Sequence, residues 1–130
     1  MHPASASKRE AADEFTAAFE ALRALLARHA ASFVVAADTP KNYTLVSRRN
    51  DVKGRPVYFA SVLLGKRYVA YHLMPLYCDP ALAQRVPPEL KARMQGKTCF
   101  NFRQRDPAAF AQLDALTAEA LASMRRQGTA

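Results

Sequence analysis

The 130-residue chain reads as an α+β domain: an antiparallel sheet of about five strands, N- and C-terminal helices packed on one of its faces, and a short helical insert before the last strand. Three observations lead there. Each end of the chain carries an apolar stripe at helical spacing. β-Branched runs crowd the stretch between, separated by Pro, Gly and Asn. Two proline-led helix starts interrupt the strands shortly before the final one.

Residues 1–7 are small and polar and are expected to fray, which leaves 8–127 as a single domain. From Lys8 to about His29, Phe15, Phe19, Leu22 and Leu26 form one helical stripe, with Glu10, Asp13, Glu14, Glu20 and Arg23 opposite. Ser7 and Glu10 have the spacing of a capping box. "SFVVAA" (32–37) and "YTLVS" (43–47) are strands around the turn-forming "DTPKN". "VYFASVLL" (57–64) and "RYVAYHLM" (67–74) are strands around Gly65-Lys66, a two-residue loop of the type II′ pattern. Asp79-Pro80 and Pro87-Pro88-Glu89 open two short helices, and Gly96 suits the position just past the second. "TCFNFR" (98–103) alternates as a strand. Asp106-Pro107 then opens a helix striped by Phe110, Leu113, Leu116 or Thr117, Leu121 and Met124.

Half the residues are hydrophobic and 23% are charged, a globular balance. No apolar run approaches the roughly 20 residues that span a bilayer, so no membrane partner is expected. The polar start lacks an apolar signal core, which points to the cytoplasm, where Cys78 and Cys99 would stay reduced. The net charge of +8 is segregated. Residues 41–105 hold 13 Lys/Arg against 3 Asp/Glu, a net +10, and the remainder holds 6 against 8, a net −2. Such a field attracts an anionic small molecule or an acidic protein, and it also serves as a plain solvated surface.

The two-residue loop sets a register in which Leu63 faces Tyr68, Ser61 faces Ala70 and Phe59 faces His72. One sheet face then carries Tyr58, Ala60, Val62, Leu64, Val69, Tyr71 and Leu73 and meets the helices. The other carries Phe59, Ser61, Tyr68 and His72, joined by Cys99, Asn101 and Arg103 from "TCFNFR". An apolar floor with a few polar groups is the make-up of a small-ligand site, so Tyr68, His72, Asn101, Arg103, Phe59 and Ser61 are the candidate ligand-binding residues. The insert 79–94 either folds over this face, leaving His72 a hydrogen-bonded strand residue, or leaves it open. The default for a sheet histidine is the first.

No phosphate-binding glycine loop or nucleophile elbow is present. A Cys99–His72 pair lacks an obvious acid to orient the imidazole, so no catalytic residue is assigned. Cys78, Cys99 and His72 lack the spacing of a zinc site, and no metal or cofactor is expected. Tyrosines alternate with Lys and Arg in "GKRYVAYHL", but no RNA- or DNA-binding motif accompanies them, and nucleic acid is not the expected partner.

The segments "GKRYVAYHLMPLYCDPAL" and "PPELKARMQGKTCFNFR", followed by a helix after "DP", resemble the YdhG-like bacterial domain of unknown function, a family that includes a frataxin-like protein proposed to carry iron. The likeness spans about residues 15–124 in element order. It implies a small domain with helices on an antiparallel sheet, and iron handling for some members. Frataxin-like iron binding uses an acidic ridge, whereas this sheet region is strongly basic, so no iron ligand is carried over. The expected function is a non-catalytic binding module, with a frataxin-like iron carrier and an enzyme using His72 as acid or base as alternatives.

Overall fold

The computed structural model describes residues 4–130, with side chains from Arg9 onward. Helix α1 (Ala4–Ala27) leads through a 3-10 turn (Ala30–Ser32) into β1 (Val34–Thr39), β2 (Asn42–Asn50), β3 (Pro56–Leu64) and β4 (Val69–Leu73). Short helices α2 (Pro75–Cys78), α3 (Pro80–Ala83) and α4 (Pro88–Lys91) follow. The chain closes with β5 (Met94–Gln95), β6 (Cys99–Phe102) and α5 (Pro107–Gln127). Among the described residues the strands form one six-stranded antiparallel sheet in the order β1-β2-β3-β4-β6-β5. The extra strand beyond the expected five is β5, whose two residues fell inside a segment that reads as helix.

One face of the sheet carries the core. Tyr43, Val62, Tyr71 and Phe100 stand in successive cross-strand pairs and are all buried. Phe19, Leu22 and Leu26 of α1 and Leu113, Leu116 and Met124 of α5 cover them. The Tyr71 and Thr117 hydroxyls bond at 2.6 Å, which fixes α5 on this face. The helices therefore share one side, as their stripes predict.

Several local expectations change. Helix α1 begins at Ala4, so Ser7 lies inside it and not at its cap, and the expected frayed segment is helical where described; residues 1–3 lie outside the described residues. Asp106 does cap α5, accepting from the Ala109 N–H at 3.2 Å, and Gly128 closes the helix in the left-handed conformation. Gly96, at φ +76°, turns the β5–β6 hairpin and ends no helix. The β3–β4 hairpin has a four-residue loop, 65–68, closed by Gly65 N–H to the Tyr68 carbonyl at 3.0 Å. Gly65 lacks the positive φ of a type II′ turn. Leu64 pairs with Val69, Leu63 with Ala70 and Ser61 with His72, a register slipped by two residues. A two-residue slip keeps every side chain on its expected face, because the strand period is two.

A β-bulge does change faces. Leu45 pairs with Ala60, but Val46 pairs with Tyr58, leaving Phe59 as the extra residue. Upstream of the bulge the alternation inverts. Phe59 turns into the core, fully buried, and stacks on Phe33 with ring centroids 4.0 Å apart. Tyr58 turns to the opposite face and hydrogen-bonds Ser61. Phe59 is thus removed from the candidate site, and Tyr58 from the helix-covered face.

Candidate functional site

The face away from the helices is built from rungs that cross the sheet. Thr44, Ser61, His72, Cys99 and Gln95 are successive partners on β2, β3, β4, β6 and β5. The next rung is Asn42, Leu63, Ala70 and Asn101. Small and polar groups on an apolar pleat leave this surface concave. A cavity of about 560 Å³ lies over it, its floor formed by Leu63, Ala70, His72, Cys99 and Asn101, with Gln95 on one side and hairpin residues 64–68 on the other. That volume falls within the range of small-molecule sites.

The insert does not cover this face. Leu76, Leu82, Val86 and Leu90 join the helix-side core, and α2, α3 and α4 pack against α5. The apolar positions of the insert dictate this, since they bury best where the core already lies. The expected covered His72 is corrected accordingly: it is a half-buried residue on an open sheet face.

Four of the six expected residues sit on this face: Tyr68, His72 and Asn101 line the cavity, and Ser61 lies beside it under the Tyr58 hydroxyl. Phe59 is in the core. Arg103 lies one residue past β6 and does not line the cavity. It borders an adjoining groove of about 410 Å³ together with Arg67, Tyr68, Arg93, Gln95 and Asn101. The reason is the short strand: beyond Phe102 no pairing holds Arg103 to the pleat.

Sequence reasoning missed Lys66, Arg67 and Gln95. Lys66 and Arg67 line the cavity from the hairpin loop. A two-residue loop would have placed Arg67 in the ladder; the four-residue loop frees it. Gln95 is brought in by β5. No residue lining the cavity is acidic, and among the described residues no carboxylate forms an ion pair with Lys66, Arg67 or Arg103.

The titratable groups are tuned by burial. It lowers the His72 pKa and raises that of the Cys99 thiol. Both shifts favour the neutral forms, so this cross-strand pair is poorly suited to a thiolate–imidazolium couple. Cys99 Sγ instead donates to Asn101 Oδ1 at 3.2 Å. Burial also raises the Tyr58 pKa, opposed by the hydrogen bond to Ser61. Among the described residues no three His, Cys, Asp or Glu side chains converge as a metal-ligand set. No helix among them is long and apolar enough to cross a membrane.

No family model, curated protein or solved structure matches the chain.

Proposed function

We propose that the protein is a non-catalytic binding module whose open sheet face takes an anionic small molecule. One observation carries the reading: a cavity of ligand size holds Lys66 and Arg67 at its rim and no acidic residue in its lining. Unopposed cations over an apolar floor raise the local concentration of anions, and they act most strongly where water is partly excluded. His72, Asn101 and Gln95 supply the few polar contacts that orient a ligand. With its pKa lowered, His72 is a neutral hydrogen-bonding group at pH 7, and the fixed charge comes from Lys66 and Arg67.

The experiment is a melting-temperature screen of carboxylates and phosphates against the full chain, with Lys66→Ala/Arg67→Ala as control. At 100-fold excess over Kd, a ligand adds about 2.7 kcal/mol of stability. A panel member that raises the parent's melting point and not the variant's supports the reading. A panel with no active member overturns it.

A further inference from the structure

We infer that the ligand of this face is a phosphorylated planar heterocycle, of the class of a nucleoside monophosphate, with its ring on Tyr68 and its phosphate between Arg67 and Arg103. This inference rests on the anion-binding reading above and adds a two-part ligand to it. The cavity and the groove adjoin, sharing Arg67, Tyr68, Gln95 and Asn101 as lining. Their chemistry differs. The cavity has the Leu63–Ala70 floor and neutral polar groups. The groove brings Arg67, Arg93 and Arg103 to one place. Arg93 is already engaged by Asp106 at 3.3 Å, whereas Arg67 and Arg103 have no ion-pair partner among the described residues. Two neighbouring guanidiniums repel one another until an anion joins them, and their fork of donors matches phosphate oxygens.

Tyr68 lines both spaces and is 41% exposed, a solvent-accessible aromatic of the kind that stacks on a planar ring. The Asn101 amide keeps its NH2 donors while its oxygen takes the Cys99 thiol, and Gln95 offers both a donor and an acceptor. Amides beside a stacked ring read the donor and acceptor edge of a heterocycle. Two carboxylates, Glu10 and Glu14, lie near this pair of arginines without forming an ion pair to either. They line a further groove that Arg67 and Arg103 also border, and Glu14 faces Arg105 at 4.0 Å. The cavity and the groove beside it have no acidic lining residue, so the phosphate is assigned to that side of the arginine pair.

The test is isothermal calorimetry of the full chain with AMP, adenosine, inorganic phosphate and a short oligoadenylate. AMP is expected to bind more tightly than adenosine or phosphate. Tyr68→Ala should weaken AMP by about fivefold or more, the low end of an aromatic–base stack, with phosphate binding unchanged. Arg67→Ala and Arg103→Ala should weaken AMP and phosphate but not adenosine, and Lys53→Ala, remote in the β2–β3 connection, should do neither. Phosphate binding as well as AMP overturns the two-part ligand and leaves the anion site standing. Absence of binding by all four, together with a silent carboxylate and phosphate screen, overturns both readings. Oligoadenylate binding far more tightly than AMP overturns the small-molecule ligand in favour of a single strand.

Discussion

The Tyr71 hydroxyl donates to the Thr117 hydroxyl at 2.6 Å, and Thr117 in turn donates to the Leu113 carbonyl at 2.7 Å. Thr117 has one proton, already committed to Leu113, so the direction of the first bond is fixed. Burial pushes the Tyr71 pKa far up, and the phenol stays protonated as this chain of bonds requires. The two-bond relay is the polar joint between the sheet and α5.

The two ends of that joint should not be equivalent. Tyr71→Phe leaves Thr117 still bonded to Leu113 and should cost about 1 kcal/mol. Thr117→Val strands a fully buried phenol and should cost more, about 1–3 kcal/mol. The double variant should cost less than the sum. Urea denaturation of the three variants checks the order, and equal single costs would contradict the assigned direction.

Core truncations test the shared helix face. Leu22 of α1 and Leu113 of α5 are both fully buried. Leu22→Ala and Leu113→Ala should each cost about 2–5 kcal/mol in denaturant unfolding. A cost below 1 kcal/mol at either site would mean that its helix does not seal the sheet.

The bulge predicts a separation of stability from binding. Phe59 stacks on Phe33 within the core, so Phe59→Ala should cost about 3–5 kcal/mol. Phe59→Leu is milder and should lower the melting temperature while leaving any ligand-induced rise intact. Loss of the ligand response in a folded Phe59→Leu protein would return this residue to the site.

Phe59 also marks where the sequence stops being informative. The terminal helices, the strand-rich middle and the hydrophobic alternation of β4 were legible because each is a repeating pattern enforced by burial. The slipped hairpin register did little harm, since faces repeat every two residues. The bulge inserts a single residue and inverts the alternation, and "VYFAS" contains no Gly or Pro to announce it. For the same reason the site was half legible. His72, Ser61 and Asn101 follow from alternation alone, whereas Tyr68 reaches the cavity from the loop. Lys66, Arg67 and Arg103 depend on loop length and on where β6 ends, which local patterns leave open. Gln95 depends on a two-residue strand that forms only because β6 is beside it.

Acid should weaken the fold through His72. Burial holds its folded-state pKa below the ordinary value of about 6.5. Unfolding therefore takes up a proton in the interval between the lowered and the ordinary pKa. Stability is complete above about pH 6.5 and declines as pH falls through that interval. His72→Gln should flatten the slope there while leaving the carboxylate-driven loss at lower pH. Melting curves at several pH values from about 7.5 to 5.5 measure it, and an unchanged slope would mean that His72 titrates as an exposed group.

The hairpin loop offers a last test, one that separates shape from charge. Gly65 closes the loop with its N–H on the Tyr68 carbonyl, and a Cβ added at Gly65 would stand 3.0 Å from that same oxygen. Its φ is within the range of other residues, so Gly65→Ala carries no left-handed penalty. The Tyr68 carbonyl must instead give way by a few tenths of an ångström, moving the residues that place Arg67 and Tyr68 over the cavity. The loop is exposed, and the stability cost should stay near or below about 1 kcal/mol. Binding should suffer more, because the displaced groups are those proposed to hold the ligand, while the net charge is untouched. Melting temperature and calorimetry on Gly65→Ala beside the parent give both numbers. A variant with full affinity and reduced stability would show that the loop acts only as a turn, and that the ligand sits deeper on the β4–β6 floor, around His72 and Asn101.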